Sequence, residues 1–547
     1  MRSDLASGVE YMKVTIRLLL GMAFVWLTAI PAVAFGKAIP PGVSGEPLSM
    51  GWQGTVNPYE AIKGVERIGR TPSRHSREIA QSPLGIGFET LDRNTFDPSW
   101  TYRWLGEAGV KRARCQTGWV RCEKEPGVYD FKWLDEVVEG LAAEGIETWL
   151  SLSFGNPLYT PNDDFANRIA KAKEEGVLAA GWARGYVGEA ACYHGEKAMA
   201  GWQAYVRAIA AHFKGRVKVW EVWNEPEWFF RDRGQVANNV HGVSKAARDF
   251  AAFVRATAEA VRAEIPDARI SFNLAELSCG WVVALANAGI GEVADIFNYH
   301  GYETYPEAAL DSMFGQIRAL MKRPDGTPVE IWQGESGRAT GKADNGVSLP
   351  TQYSQARFIA RRIVSDLSHG AKVTSIFTVT DFLRYYGDGR DQYYGILDGR
   401  THRPKHGWYT LQCLGWLCDG LVHDPGIFMY FDTEKPKEFA DRVPFAAVRT
   451  AAFRRKGVPV LAIWQPQHVE MNERPLRGRL EFVIGENVGA LAHPVLIDPV
   501  RCEVFDVAAL VNGADRAKPN RRGIECAAPF FALDYPVFLT DASIFEE

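Results

Sequence analysis

From about residue 83 the sequence alternates short apolar segments with longer segments in which apolar residues recur every three or four positions. The short segments are typical of strands buried on both faces, and the longer ones are typical of amphipathic helices. Eight strand segments can be recognised, each followed by a helical one: LGIGFE, VKRARCQ, IETWLSLSF, VKVWEVW, ARISFNLA, DIFNYHGY, PVEIWQGE and VTSIFTVTDF. This pattern predicts an α/β fold, a (β/α)8 TIM barrel over residues 83–419.

A doubly wound open sheet is the alternative way to arrange alternating strands and helices. That fold usually carries a glycine-rich phosphate-binding turn after its first strand. No such turn follows LGIGFE, so the barrel is the preferred interpretation.

The pattern changes after Gly420. Short apolar strands then follow one another and are broken by Gly, Pro, Asp and Asn, as in IFMYFD, PVLAIWQP, HPVLIDPV and YPVFLTD. This is typical of antiparallel structure, so residues 420–547 are predicted to form an additional C-terminal β-sandwich domain, with a small barrel as the alternative. Residues 35–82 are weakly patterned and are either a linker or edge strands of the β domain.

Residues 1–34 are predicted to be a secretory signal peptide. Lys13 and Arg17 supply positive charge, residues 18–30 are apolar, and residues 32–34 (Ala-Val-Ala) have the small side chains of a cleavage site. The apolar run is shorter than the roughly 20 residues that span a bilayer, so an uncleaved membrane anchor is the less favoured alternative. We therefore expect a secreted or periplasmic protein with no integral membrane domain after cleavage, whether translation starts at Met1 or at Met12.

The composition narrows the classes of partner. Of 547 residues, 46% are hydrophobic and 23% are charged, as in an ordinary soluble protein with a large core. The 62 basic residues are balanced by 66 acidic ones, so no nucleic-acid partner is expected. Aromatic residues make up 12% of the chain, which suits a carbohydrate-binding cleft and also suits a large core.

The eight cysteines contain no CxxC pair, so a zinc site has little support. Export would make the cysteines potential disulfide partners. Cys502 and Cys526 both fall in the strand-rich C-terminal segment and are the preferred pair. Reduced, buried thiols throughout are the alternative.

Several of the eight predicted strands end in polar residues. In a (β/α)8 barrel the carboxyl ends of the strands converge on one mouth, where active sites form. The fourth strand ends in Asn224 and Glu225, and the seventh ends in Glu335. The first, second, third and sixth strands end in Glu89, Arg114, Asn156, and His300 with Tyr302. We expect these side chains to meet at the mouth.

Two carboxyl groups at one mouth can break a glycosidic bond. If about 5–5.5 Å separates them, one attacks the anomeric carbon while the other protonates the leaving oxygen and later activates water, with net retention of configuration. A glutamate buried among aromatic rings should have a raised pKa, which suits the acid. We therefore expect a raised pKa for Glu225.

The motifs WEVWNEP, NYHGY and IWQGESG, with GWVRCEKEPGVYDFKWLDEVVEGLAAEGI after the second strand, resemble the retaining glycoside hydrolases of clan A. Within the clan the chain is most similar to family 39, the β-xylosidase and α-L-iduronidase family, over roughly residues 83–410. The resemblance implies that Glu225 is the general acid/base and that Glu335 is the nucleophile.

The resemblance also implies roles for the surrounding residues. Asn224 would hold the sugar 2-hydroxyl or the nucleophile, Tyr302 would hydrogen-bond Glu335, Arg114 would keep Glu335 charged, and His300 would line the glycone pocket. Trp228, Phe229 and Phe230 are expected to border the leaving-group side. Where the clan often has a tryptophan at the end of strand eight, this chain has Phe377, so the identity of the glycone does not carry over.

The resemblance implies an exo-acting, β-xylosidase-like β-glycosidase that acts on carbohydrate and needs neither cofactor nor metal. A non-catalytic carbohydrate-binding barrel and a transglycosylase with the same two glutamates are the alternatives. Simpler interpretations exist for single residues: Glu225 could begin a helix, His300 could be a hydrogen-bonded core residue, and Glu89 and Asn156 could cap turns.

Overall fold

The computed structural model describes most of the chain after residue 56. The described residues are 57–161, 189–230, 240–308, 310–341, 351–386, 389–433, 447–467, 476–484, 491–511, 518–520 and 523–546. The predicted signal peptide lies outside them. Among the helices within these ranges, we find none with both the length and the apolar character needed to cross a membrane.

The strands are numbered along the described chain. β1 (Glu66–Arg70) precedes the barrel, and β4 (Glu123–Glu125) and β5 (Val128–Tyr129) form a small hairpin. The barrel strands are β2 (Leu84–Gly87), β3 (Arg112–Gln116), β6 (Glu147–Leu152), β7 (Val219–Val222), β8 (Arg269–Leu274), β9 (Ile296–His300), β10 (Glu330–Ser336) and β11 (Thr374–Ile376). They close in the order β10-β11-β2-β3-β6-β7-β8-β9, every pairing parallel. The predicted TIM barrel is confirmed.

The barrel strands are buried along most of their length because side chains pack on both of their faces. All residues of β2 and β9 are buried, for example, and so is every residue of β6 after the first. The described helices are α1 (Tyr102–Glu107), α2 (Trp119–Cys122), α3 (Lys132–Ala143), α4 (Glu196–Phe213), α5 (Val240–Glu264), α6 (Cys279–Asn287), α7 (Leu310–Leu320), α8 (Gln352–Ser368), α9 (His406–Leu417) and α10 (Ala508–Val511). Each of the eight barrel strands is followed by helix, as the sequence predicts.

Antiparallel sheets follow the barrel, in agreement with the predicted β-sandwich. The remaining strands are β12 (Leu421–His423), β13 (Phe428–Thr433), β14 (Arg449–Arg455), β15 (Val458–Trp464), β16 (Leu476–Ile484), β17 (Pro494–Asp498), β18 (Glu503–Asp506), β19 (Lys518–Asn520), β20 (Gly523–Ala532) and β21 (Val537–Asp541). One sheet has the order β1-β18-β17-β21-β15-β14-β12 and the other has the order β13-β16-β20-β19. Since β1 pairs with β18, the segment before residue 83 adds an edge strand to this domain.

Helix α8 joins the barrel to the β domain. Its residues 354–366 are all buried, which is typical of a helix covered on every side. Arg361 of this helix donates two hydrogen bonds to Glu307 of the barrel, at 2.9 and 2.7 Å, and Trp464 of the β domain donates a third at 2.8 Å. A second buried ion pair joins Arg357 to Asp534. The two parts of the molecule therefore share a buried polar contact.

The preferred disulfide does not form. Cys502 is a buried free thiol whose Sγ lies 3.4 Å from the carbonyl oxygen of Tyr409. Burial raises its pKa well above the usual value, which makes it unreactive. The expected Cys502–Cys526 bond is therefore wrong, and the alternative of a reduced thiol holds for Cys502.

His406, the first residue of α9, predicts a pH dependence of stability. Burial, followed by the nearby charge of Arg501, lowers the pKa of His406 to about 3, whereas an unfolded histidine titrates near 6.5. The unfolded state therefore binds a proton first, and stability is lost as the pH falls from 6.5 towards 3. At pH 5 this loss is about 2 kcal/mol.

His406→Gln should remove this loss, so the difference in unfolding free energy between wild type and variant should change by about 2 kcal/mol between pH 7 and pH 5. Urea unfolding at both pH values measures it. His493→Gln, at an exposed histidine, is the control and should keep the wild-type pH dependence. The same dependence in the His406 variant would contradict the assignment.

Candidate active site

A cavity of about 470 Å³ opens at the carboxyl ends of the barrel strands. It is lined by seven of the predicted site residues: Glu89, Asn224, Glu225, Trp228, Tyr302, Glu335 and Phe377. The other lining residues are Thr90, Arg93, Gln116, Phe154, Phe229, Tyr385, Tyr386, Gln392 and Tyr394. A second cavity of about 580 Å³ lies where the strands begin and contains none of the predicted site residues. Chemistry, rather than size, marks the first cavity as the candidate site.

The loop after β7 places Glu225 in this cavity. Trp223 and Glu225 adopt left-handed backbone conformations, with φ of 67° and 50°, which cost about 1–3 kcal/mol each. Asn273 on β8 stabilises the loop because its Oδ1 accepts from the Glu225 N–H at 2.7 Å and its Nδ2 donates to the Trp223 carbonyl at 2.8 Å. The carboxyl group of Glu225 is therefore held by the backbone as well as by its own contacts.

His300, at the end of β9, lies beneath the cavity and pairs with Glu225. Its Nδ1 is 2.9 Å from Oε1 of Glu225. Burial raises the pKa of Glu225, but the hydrogen bond and charge of His300 outweigh burial and place that pKa below its usual value. Burial lowers the pKa of His300, while the charge of Glu335 and the bond to Glu225 raise it above its usual value. The expected raised pKa of Glu225 is thus wrong, because the contact with His300 lowers it.

Glu335 near the end of β10 is held by two donors. The Tyr302 hydroxyl donates to its Oε1 at 2.7 Å, and Nη1 of Arg114 donates to its Oε2 at 2.8 Å. Both contacts are those predicted from the sequence. Because each oxygen has its own donor, the orientation of the carboxylate is fixed.

The two glutamates meet across the cavity. An oxygen of Glu225, an oxygen of Glu335 and a ring nitrogen of His300 all lie within 4.8 Å of one another. Such a trio could ligate a metal ion, but hydrogen bonds to the protein already engage Nδ1 of His300 and both oxygens of Glu335. These bonds account for the cluster. The oxygen spacing suits the carboxyl separation of about 5–5.5 Å in retaining glycosidases better than the 6.5–9.5 Å of inverting ones.

Glu221 is a site residue that the sequence reasoning missed. It lies on β7 with no exposed surface, and its Oε1 accepts from Nε of Arg114 at 3.0 Å and from Asn273 at 3.0 Å. Nη2 of Arg114 also contacts it, and Asn298 binds its other oxygen. The signal was a charged residue in the middle of the apolar strand VWEV. Such a residue is costly unless it is paired.

Arg114 also lies beneath the cavity and connects the predicted residues. Besides Glu221 and Glu335, its guanidinium contacts Oδ1 of Asn224 at 2.9 Å and Oε1 of Glu89 at 3.1 Å. Asn224 is therefore oriented by an arginine, which leaves its amide nitrogen for other partners in the cavity.

Aromatic rings form much of the cavity wall. Phe377, at the position where the clan often has tryptophan, meets Tyr394 edge-on with ring centroids 5.6 Å apart. Trp228 is 58% exposed and stands at the rim. The loop after β11 contributes Tyr385 and Tyr386. These flat surfaces suit the apolar C–H faces of a sugar.

Two residues expected at the cavity, Asn156 and Phe230, do not line it. Asn156 is buried away from the cavity lining, where its Nδ2 donates to the Glu123 carbonyl at 2.8 Å and its Oδ1 accepts from the Leu158 N–H at 3.0 Å. The turn-capping interpretation holds for this residue. Phe230, expected with Trp228 and Phe229 at the leaving-group side, is fully buried against Trp223.

The turn after β2 brings Arg93 to the cavity wall, where its Nη2 donates to Gln116 at 2.7 Å. Thr90 and Asn94, which flank this turn, have φ of 69° and 55°. The sequence reasoning missed Arg93 because nothing in the strand pattern distinguishes it from an ordinary loop arginine.

Comparison with known proteins agrees with this chemistry. The glycoside hydrolase family 42 model, described as β-galactosidase, matches residues 89–235, which is less than half of the chain. No curated protein sequence matches this chain.

Similarity to a solved structure supports the same fold. A family 39 glycoside hydrolase from the gut symbiont Bacteroides cellulosilyticus WH2 has a TM-score of 0.59 and 14% identity, over 86% of this chain and 83% of that chain. A GH30 endoxylanase from Clostridium papyrosolvens C71 has a TM-score of 0.46 and 12% identity, over 87% and 99%. A β-galactosidase from Bacillus circulans sp. alkalophilus has a TM-score of 0.44 and 13% identity, over 62% and 57%. With the family-model match, the fold shared with the family 39 enzyme confirms the resemblance to clan A glycoside hydrolases and supports a glycosidase.

The contacts of Glu221 predict its contribution to stability. Glu221→Gln should lower the free energy of unfolding by about 3 kcal/mol, because it breaks a buried ion pair and puts an amide N–H₂ where Arg114 donates. Urea unfolding measures the change. Glu125→Gln, at an exposed position on β4, should change stability by less than about 0.5 kcal/mol. Equal effects of the two substitutions would show that the buried network is not stabilising.

Proposed function

We propose that the protein is a retaining, exo-acting β-glycosidase, β-xylosidase-like, that releases terminal sugars from oligo- or polysaccharides through a covalent glycosyl-enzyme. The observation that carries this proposal is the approach of Glu225 and Glu335 to within 4.8 Å, each with different partners. A non-catalytic sugar-binding protein would not need both carboxyl groups in this arrangement. The exo action rests on the family 39 resemblance of the motifs.

In the first step Glu335 is the nucleophile. One of its oxygens forms a bond to the anomeric carbon while the bond from that carbon to the leaving oxygen breaks, and the Glu225–His300 pair supplies the proton to that oxygen through Glu225. Tyr302 and Arg114 keep the attacking carboxylate oriented at their 2.7 and 2.8 Å contacts. Asn224 would hold a sugar hydroxyl beside the reacting carbon.

In the second step water takes the place of the leaving group. Glu225 removes a proton from that water, whose oxygen attacks the anomeric carbon, and the ester bond to Glu335 breaks. Two inversions at the same carbon give retention. The partially exposed ring of Trp228 at the rim would cover the leaving-group side, while Phe377 and Tyr394 would contact the glycone.

Hydrolysis assays identify the substrate. The panel consists of 4-nitrophenyl xylosides, galactosides, glucosides, arabinosides and iduronides, in both anomeric forms. Hydrolysis of one β-glycoside with an initial product of unchanged configuration, detected by NMR, is expected. Digestion of the matching oligosaccharide should release single sugars from one end. No turnover on the whole panel would favour the non-catalytic alternative, and transfer to sugar acceptors in preference to water would favour a transglycosylase.

Glu335→Gly should lose several orders of magnitude in kcat and should recover activity with azide. The small anion fits where the carboxylate was removed and attacks the face opposite the leaving group, so the product should be the α-glycosyl azide. NMR of the product identifies its configuration. Failure of azide to restore turnover, or formation of the β-azide, would contradict the nucleophile assignment.

Glu225→Ala should show a different pattern. Natural substrates should lose about 10²–10⁴-fold in kcat/KM because they need an acid, whereas a dinitrophenyl glycoside, whose leaving group needs no proton, should lose far less. Azide should now attack the glycosyl-enzyme and give the β-glycosyl azide. Equal losses on both substrates would rule out the acid/base role of Glu225.

A further inference from the structure

Three carboxyl groups surround the single guanidinium of Arg114. Nε and Nη2 contact Glu221, and Nη1 is shared, at 2.8 Å from Oε2 of Glu335 and at 3.1 Å from Oε1 of Glu89. Arg114 and Glu221 have no exposed surface, Glu89 is 1% exposed, and Glu335 is 9% exposed. Three buried carboxylates around one guanidinium leave an excess of negative charge, and a proton on one of the carboxyl groups reduces that excess.

The hydrogen bonds identify which carboxyl group that is. Glu221 accepts from Arg114 and from two asparagines, and each oxygen of Glu335 has its own donor. Through its Oε1, Glu89 shares Nη1 of Arg114 with Glu335. Within the described ranges, the buried Oε2 of Glu89 has no hydrogen-bond partner. An ionised oxygen left without a donor is costly. Glu89 is therefore the neutral member of the group.

A glycine at position 87 leaves space for the Glu89 carboxyl group. A Cβ atom at Gly87, the last residue of β2, would lie 2.3 Å from Oε2 of Glu89. Burial and then the charge of Glu335 raise the pKa of Glu89 to about 8, against the opposing charge of Arg114. Among the described residues, the ionisable groups that act on Glu89 include Arg114 and Cys115 on β3 and Glu335 on β10.

We propose that Glu89 is a charge-balancing positioning residue, which holds a proton while Glu335 is a carboxylate and releases it when Glu335 becomes the glycosyl ester. Nη1 of Arg114 then keeps a charged partner, Glu89, throughout the reaction. Since Nη2 of the same guanidinium orients Asn224 at 2.9 Å, the sugar contact keeps its place in the intermediate. The role in the reaction rests on the proposed function, whereas the link between the two carboxyl groups does not.

The proton balance closes over the two steps. Ester formation removes the negative charge of Glu335, and the proton of Glu89 passes to solvent. When water cleaves the ester, Glu335 is again a carboxylate and Glu89 takes a proton back from solvent. No other reactant is consumed.

The link can be tested without substrate, because Glu335→Gln gives position 335 the zero charge of the ester. Infrared difference titration, with the spectrum of the matching Glu89→Gln variant subtracted, isolates the carboxyl band of Glu89. In wild type the band should titrate at a pH of about 8. In Glu335→Gln it should titrate about 1–3 pH units lower.

Glu225→Gln is the matched control, since Glu225 is not among the charges that shift Glu89, and it should leave the titration at its wild-type position. Thermal unfolding followed by circular dichroism verifies that each variant is folded. A Glu89 that is already ionised at pH 7 in wild type, or that titrates at the same pH in the Glu335→Gln variant, would overturn the proposal.

The reaction itself supplies the second measurement. A dinitrophenyl 2-deoxy-2-fluoro-glycoside of the hydrolysed sugar should trap the ester, and a pH indicator should report an additional proton released with the burst of dinitrophenolate in wild type but not in Glu89→Gln. A burst with equal proton release in both proteins refutes the role of Glu89. No burst with any sugar refutes the proposed function instead, and the infrared titration then still decides the link between the two carboxyl groups.

Discussion

The fixed charge of Arg114 is the constraint on which the candidate site depends. The guanidinium has no exposed surface, and a buried cation is tolerated only when hydrogen bonds and opposite charges surround it. Glu221 on β7 and Glu335 on β10 supply those charges, so three barrel strands are tied to one group. This requirement explains a carboxylate in the middle of the strand VWEV. It also means that a change at Glu221, which does not line the cavity, would alter the orientation of residues that do.

The same polar network supports a strained segment. Left-handed backbone at Trp223 and Glu225 is unfavourable for side chains of this size, and it persists because Asn273 bonds both residues. The amide of Asn273 on β8 thus holds the segment that carries the Glu225 carboxyl group. Glu221, the ion-pair partner of Arg114, accepts a hydrogen bond from that amide. Rigid placement of this kind is what catalysis by position requires.

The sequence predicts the barrel and the paired glutamates because both leave local signals. The pattern of apolar positions in a strand can be recognised in a short stretch of sequence. A polar residue such as Glu335 is also conspicuous at the end of an apolar run. Contacts between distant segments leave no such signal. The orientation of Arg93 depends on a turn with unusual backbone angles, the burial of Phe230 depends on the packing of α5 beneath the loop, and Asn156 fills a turn and does not line the cavity. Strand β20, which contains three Ala and one Pro, was not predicted because its pairing with β16 defines it more than its own sequence pattern does.

The pKa of Glu225 shows where local reasoning fails most clearly. Burial alone would raise the pKa of this carboxyl group. Nδ1 of His300, 2.9 Å from its Oε1, lowers that pKa below its usual value instead. A proton on Nδ1 of His300 lies one hydrogen bond from this carboxyl group. A sugar that fills the cavity displaces water and disfavours the two separated charges relative to the neutral pair. In the proposed mechanism, the proton of this pair would then reach the leaving oxygen through Glu225.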